Sequence, residues 1–336
     1  MVSRLRLASE LLGQPVELTK RVAEQYPFKL STFLAGRLAA GDYSLEAARQ
    51  FLPDGRELLD WAGAEFDPCN EDEFRQTDTV IQRYDNRAAI VLTQKCLVYC
   101  RFCFRRDFVG FNDNAVSDES IDDGIAFLEA TPEIRDVLLT GGDPLALANV
   151  DLIRIVNRIT AIDHIRVIRV HTRALSVDPA RIDADLVGAF AASGKIWFYT
   201  HMNHPDDLDH SDVRSALRRL RSAGVPVLNQ AVILGGVNDG FGVLAKLMSD
   251  CYESQIIPYH LYVLDRVPGA EHFDVSPDRV IEVLSELSSV SGPAQPVLVI
   301  VDRTDMKHRV VPSALLDEAR LRTLLERRTL SSEGQP

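Results

Sequence analysis

Cysteine is scarce in this chain, lysine nearly so, and long apolar runs are missing. The 336 residues include five cysteines, and the lysines are six: Lys20, Lys29, Lys95, Lys195, Lys246 and Lys307. No apolar run approaches the length of a membrane span. The opening stretch "MVSRLRLASELLGQP" carries early positive charge without the continuous apolar segment of a secretory signal. Positive charge is not in excess either, since 37 Lys and Arg stand against 49 Asp and Glu, a net charge of −12. Such a chain has no field to hold a nucleic-acid backbone or an anionic membrane, and any anionic ligand must be met by local arginines. These shortages point away from a disulfide scaffold, a membrane protein and a nucleic-acid binder. They leave a cytoplasmic globular protein with neither nucleic acid nor membrane as a partner. With 46% apolar residues, the length suffices for one large domain, or one domain with an appendage.

What the chain does have is a concentration of its rarest residue. The stretch "QKCLVYCRFCFRRDFVG", 94–110, holds three of the five cysteines and then a pair of arginines. In a reducing compartment, clustered cysteines signify a metal or redox site more often than a disulfide. Cys96, Cys100 and Cys103 have the spacing C-x3-C-x2-C. Three thiolates ligate three irons of a [4Fe–4S] cube and leave the fourth iron open to a small molecule. A structural zinc site would want a fourth ligand nearby, whereas Cys69 and Cys251 lie far off in sequence and no histidine falls in the loop.

Periodicity places that loop in a fold. The first 75 or so residues read as helical and polar, with "ELTKRVAEQYPFKL" and "SLEAARQFL" as amphipathic candidates and Pro53-Asp54-Gly55 as a break. From residue 88 the pattern changes to short β-branched runs, "AAIVLTQ", "DVLLTGGD", "IRVIRVHTR", "IWFYTHMNH", "VPVLNQAVIL" and "IPYHLYVLD", with helical stretches between them. Alternation of this kind means a parallel sheet, and right-handed crossovers curl six repeats into an open barrel. The expected fold is therefore α/β: an open, partial parallel (β/α)6 barrel with an N-terminal helical appendage. The expected boundaries are 1–80 for the appendage, 81–290 for the barrel and 291–336 for a C-terminal segment that opens with "PVLVIVD".

In parallel α/β folds the chemistry sits where strand C-termini meet loops, and the remaining motifs all fall there. "TGGDP" ends the second run; its glycines, Gly141 and Gly142, let backbone approach a ligand closely, and Asp143 can accept from a ligand's ammonium. A plain Gly-Gly turn would read the same way. "HTR" at 171–173, "HMNH" at 201–204 and "NQ" at 229–230 end other runs, which makes His201 and Gln230 candidates for a polar lining around a nucleoside and a substrate.

The cysteine loop, its aromatic spacers Tyr99 and Phe102, and "TGGDP" one strand later resemble the radical S-adenosylmethionine superfamily. The series "RYDNR", "CRFCFRR", "TGGDP", "HTR", "NHP", "LNQAVILGGVND" and "PYHLYVLDRVPGAEHF" further resembles the lysine 2,3-aminomutase family over residues 80 to 310. "CRFCFRR" and the short C-terminus look most like its branch that makes β-lysine for elongation factor P. The resemblance implies an isomerase that moves an amino group between adjacent carbons of an amino acid. It implies three cofactors: a [4Fe–4S] cluster, S-adenosylmethionine chelated to its open iron, and pyridoxal 5′-phosphate holding the migrating nitrogen. It also implies a one-electron donor such as flavodoxin or ferredoxin.

Residue by residue, the resemblance assigns Arg83, Tyr84 and Arg87 of "RYDNR" to the phosphate end of pyridoxal phosphate and Arg105 to the substrate carboxylate, and leaves Arg106 structural. Lys307, which follows "PVLVIVD", matches the imine lysine, and it also survives elimination among the six. The family usually presents that lysine after glycines, where this chain has "DRTDMKHR". A related enzyme acting on an amino acid without pyridoxal phosphate, of epimerase or dehydrogenase type, therefore stays open. Asp265 and Asp302 match the aspartates that bind the far ammonium of lysine in lysine-specific members, so lysine is the first expected substrate and arginine or ornithine the second. Gly240 stands where zinc-bearing members carry a cysteine, so no zinc is expected.

Overall fold

The computed structural model of the chain describes residues 2–110, 116–301, 307–310 and 318–327. Nine strands form one sheet in sequence order: β1 (Val80–Tyr84), β2 (Arg87–Thr93), β3 (Asp136–Gly141), β4 (Val167–Thr172), β5 (Ile196–His201), β6 (Val227–Ile233), β7 (Ile257–Val263), β8 (Val297–Val301) and β9 (Lys307–Val310). β2 through β8 are parallel, and β1 and β9 pair antiparallel at the two edges. No pairing joins β1 to β9 among the described residues, so the barrel is open. The six expected strands are β2 to β7. The "PVLVIVD" run continues the same sheet as β8, so the expected boundary at 290 falls inside the barrel's run of parallel strands.

Helices cross over between successive parallel strands, and each start has a local cause. Ser117, Asp183 and Ser276 accept from the backbone N–H three residues on, capping Asp118–Ala130, Ala184–Ser193 and Pro277–Leu287. Helix Ser211–Ser222 shows why such segments pack on a sheet: Val213, Ala216, Leu217 and Leu220 bury one stripe, while its arginines take the other face.

Alternation along the strands decides what the barrel encloses. Val137 and Leu139 of β3, Ile168 and Val170 of β4, and Ile196 and Phe198 of β5 join the core under the helices. Because successive side chains point to opposite faces, Thr140, Arg169, His171, Tyr199 and His201 take the inner face. A parallel strand buried in apolar surroundings on both faces reads as a continuous apolar run. These strands alternate instead, so the inner face is a polar lining.

The N-terminal helices Val2–Leu12, Val16–Gln25 and Thr32–Ala40 are not a free appendage. Leu30, Leu34, Phe51 and Leu52 share a core with Val98 of the cysteine loop and Val177 beyond β4. Burying a large apolar side chain is worth roughly 1.5–3 kcal/mol, so this shared core fastens the N-terminal region against the loops at the strand C-termini.

Candidate active site

Cys96, Cys100 and Cys103 lie on the loop that follows β2, at the C-terminal end of the parallel strands. All five cysteines of the chain are free thiols. Burial, helped by the neighbouring Cys100 sulfur, pushes the Cys103 thiol up to about 11. Burial, Asp143 and the other two sulfurs push Cys96 up as well. Thiols crowded and shielded in this way resist ionisation until a cation compensates them, and iron supplies that compensation. Three thiolates side by side on one loop are a donor set of the kind that ligates three irons of a cube. The donor set fits an iron–sulfur cube.

A second layer supports the loop. Arg173, at the end of β4, donates from Nη1 to Cys100 Sγ over 3.2 Å and from Nη2 to Gln50 Oε1 over 2.7 Å. Glu57 is fully buried between two guanidiniums, accepting from Arg101 Nη2 at 2.7 Å and from Arg106 Nη2 at 2.6 Å. Arg106 also donates from Nη1 to the Arg101 carbonyl at 2.9 Å. Lys29 reaches the loop too, donating to the Cys96 carbonyl over 2.6 Å.

Gly141 and Gly142 meet a packing demand at the root of the cysteine loop. Gly141 has φ +122°, and a Cβ on Gly142 would overlap the Lys95 carbonyl. The N–H of Gly142 donates to Thr93 O at 2.6 Å and that of Asp143 to Lys95 O at 2.8 Å. The glycine pair thus lets the end of β3 press against the root of the cysteine loop. Asp143 is engaged on both oxygens, accepting from Thr172 Oγ1 at 2.6 Å, from the Arg173 N–H at 2.9 Å and from the Leu145 N–H at 2.9 Å. It ties β3 to β4 directly beneath the loop.

Gln230 lies on the inner face of β6 in a chain of polar side chains. Its Nε2 meets His171 Nδ1 at 3.0 Å, and its Oε1 accepts from the Tyr262 hydroxyl at 3.1 Å. His171 stacks flat on Tyr199 with centroids 4.6 Å apart. His201 ends β5 edge-on to Phe102 of the cysteine loop, 5.7 Å between centroids. Burial and the Arg173 charge lower its pKa to about 3, so it is neutral, and its Nε2 is buried with no hydrogen-bond partner among the described residues. Gln94 Oε1, where β2 gives way to the loop, is orphaned likewise. Buried polar atoms of this kind suit a polar ligand seated against the mouth.

Arg83, Tyr84 and Arg87 form the hairpin joining β1 to β2, at the opposite end of β2 from the cysteines. The seven residues of β2 make that separation about 20 Å. Arg87 stacks over the Tyr84 ring at 3.9 Å and Arg83 over Phe74 at 4.6 Å. Arg83 Nε is buried without a partner among the described residues, a donor left over for an anion. Asp265 follows β7, close enough to Tyr262 to raise its pKa after burial has done the larger part. Asp302 lies outside the described residues. Lys307 opens β9, paired across from Val301, and its side chain lies outside the described residues.

Arg105 was expected at a substrate carboxylate, and the fold gives it an internal one. Its Nε and Nη2 donate to Glu71 Oε2 and Oε1 at 2.7 and 2.6 Å, and its Nη1 donates to Thr140 Oγ1 and the Gly141 carbonyl at 2.9 and 3.1 Å.

Residues 90–248 match the Radical SAM superfamily. The chain is 33% identical over 300 residues to the L-lysine 2,3-aminomutase of Acetoanaerobium sticklandii, covering 89% of this chain and 72% of that one. The chain belongs to the lysine 2,3-aminomutase family. It is 35% identical over 264 residues to the L-lysine 2,3-aminomutase of Escherichia coli, covering 78% of this chain and 76% of that one. Against the glutamate 2,3-aminomutase of Clostridioides difficile it is 30% identical over 285 residues, covering 84% and 67%. Other relatives named L-lysine 2,3-aminomutase are longer, and the chain spans 58 to 63% of their length.

Membership in the lysine 2,3-aminomutase family makes the chain an isomerase of the radical S-adenosylmethionine type. Sequence reading missed Gln50, Glu57, Glu71 and Lys29, which belong to the N-terminal region yet reach the loop or Arg105. The only local hint was "DEF" preceded by Glu71 in an acidic stretch, which reads as a solvated turn. It also set Cys69 aside, whereas its sulfur lies close enough to Arg105 and Tyr262 to act on both electrostatically.

Proposed function

We propose that this family member is a 2,3-aminomutase acting on L-lysine, or on a similar cationic amino acid, with pyridoxal phosphate retained. One observation carries the reading: a polar inner face, His171–Gln230–Tyr262, lies beside the cysteine loop with a largely shielded arginine, Arg105, near it. Such a lining suits an amino acid with charge at both ends. Bound there, the cluster with S-adenosylmethionine supplies hydrogen-atom abstraction, and pyridoxal phosphate supplies electronic stabilisation of the migrating nitrogen.

The chain's own residues bind, orient and shield. Cys96, Cys100 and Cys103 hold the cluster, and Gly141, Gly142, Asp143, His201 and Gln230 frame the S-adenosylmethionine side of the mouth. Arg83, Tyr84 and Arg87 meet the phosphate, where guanidinium groups suit a dianion. Arg105 takes the substrate carboxylate; Asp265 and Asp302 take its far ammonium. Lys307 serves the pyridoxal carbonyl. Elimination supports that choice, because Lys20 pairs with Glu17, Lys246 with Asp250, Lys195 donates to the Thr160 carbonyl, Lys29 to that of Cys96, and Lys95 directly precedes Cys96. Five free thiols suit the reducing cytoplasm, where flavodoxin or ferredoxin is the electron donor. No helix among the described residues is long and apolar enough to cross a membrane.

The test is incubation of anaerobically reconstituted protein with S-adenosylmethionine, a reductant and each common amino acid in turn, with chromatographic detection of isomers. β-Lysine is the expected major product. Preferential turnover of glutamate would overturn the assignment of the aspartates. Turnover that does not depend on pyridoxal phosphate would favour the epimerase or dehydrogenase alternative.

A further inference from the structure

Arg105 cannot be read as an open anion receptor, and hydrogen-bond accounting shows why. A guanidinium carries five N–H donors in a rigid fork. Glu71 takes one from Nε and one from Nη2, and Thr140 and the Gly141 carbonyl take the two on Nη1. One Nη2 hydrogen has no partner among the described residues. Both side chains are largely shielded, 12% of Arg105 and 22% of Glu71 remaining exposed.

The segment that delivers Glu71 is itself tied down at both ends. The Glu65 N–H donates to the Arg266 carbonyl beyond β7 at 3.0 Å, and the Gln76 N–H to the Val80 carbonyl of β1 at 2.8 Å. Between these anchors Asp67 accepts from the Asp72 N–H at 3.1 Å. The segment lines a cavity shared with Val91, Phe104 and Arg105. A substrate that expelled Glu71 would leave a half-shielded carboxylate beside Asp67, Asp72 and Asp107 of the same cavity, and an uncompensated shielded charge is costly. Displacement is therefore disfavoured, and the pair acts as a unit.

We propose that Glu71 is a positioning residue for the substrate carboxylate. It holds Arg105 by the Nε/Nη2 edge, so that the remaining Nη2 hydrogen is presented in one fixed orientation.

This inference rests on the reading of Arg105 as the substrate's carboxylate site, so the experiment carries an arm for each. Labelled L-lysine is equilibrated by dialysis with the reconstituted holoenzyme in the absence of reductant, for wild type, Glu71→Ala, Glu71→Gln and Arg105→Lys. Glu71→Ala is expected to weaken Kd by about tenfold or more, with KM rising in parallel, kcat changing far less, and iron content and the cluster's electron paramagnetic resonance signal unaltered. Glu71→Gln keeps an acceptor oxygen and should fall between wild type and Glu71→Ala. Equal or tighter binding by both Glu71 variants, with Arg105→Lys impaired, would show that Glu71 competes with the substrate or merely neutralises charge, and the proposal fails. Unchanged binding by Arg105→Lys would remove Arg105 from the substrate site and overturn the proposal together with its premise.

Discussion

Arg173 hydrogen-bonds a cysteine sulfur directly, donating to Cys100 Sγ at 3.2 Å. Its ring contacts with Phe51 and Phe102 and its bond to Gln50 leave the guanidinium little freedom. An N–H donor on a ligating sulfur stabilises the more negative, reduced state of a cluster. Arg173→Gln is expected to lower the midpoint potential by ~60 mV, about a tenfold loss in the one-electron equilibrium, read by a redox titration followed by electron paramagnetic resonance. An unchanged potential with full iron content would remove this role from Arg173.

Glu57 compensates two buried cations at once. Glu57→Gln leaves Arg101 and Arg106 facing one another with no anion between them, and breaking a buried pair in this way costs about 3–5 kcal/mol. The urea midpoint of the as-isolated protein should fall accordingly. Because Arg101 and Arg106 flank the cysteines, iron retention should fall with it. A midpoint within experimental error of wild type would show that water or a neighbouring group takes over the compensation.

Gly142→Ala tests the contact between the end of β3 and the cysteine loop. The added methyl meets the Lys95 backbone rather than a side chain that could swing aside, so the loop must move. Reconstituted protein should hold well under half the iron of wild type, with its circular dichroism preserved. Gly188→Ala, where a methyl enters open space, is the control and should retain iron fully.

His201 supplies a pH signature. Its folded pKa of about 3 lies below the ordinary value of 6.5, because burial and Arg173 oppose a second positive charge. Between these values the unfolded chain binds a proton that the folded chain refuses. Stability attributable to this group is therefore complete above pH 6.5 and falls as pH drops below it, at up to about 1.4 kcal/mol per pH unit. His201→Gln should flatten that limb in urea titrations run from pH 7.5 down to 4.5. A wild-type-to-variant difference independent of pH would contradict the shift.

Much of this molecule was legible in its sequence because the relevant physics is local. The spacing of Cys96, Cys100 and Cys103 is a property of one loop. The β-branched runs that became β2 to β7 carry their own alternation and stops, and the glycines before Asp143 mark a close approach whatever they approach. What those glycines press against, however, is the cysteine loop, a fact that belongs to the packing of β2 on β3.

The charge pairing around the site was decided only by the tertiary structure. Glu71 meets Arg105 across 34 residues, Glu57 meets Arg101 across 44, and Arg173 meets Cys100 across 73. In sequence each of these acids sits in an ordinary acidic or turn-forming stretch, because a carboxylate's partner is chosen by desolvation. Once the apolar core of the N-terminal region seats it against the loops at the strand C-termini, a carboxylate carried into that contact must find a cation or destabilise the fold, and the arginines beside the cysteines are the cations available there. The sequence by itself determined which chemistry this protein can carry; the burial of its N-terminal region against the cysteine loop decided which charges hold that chemistry in place.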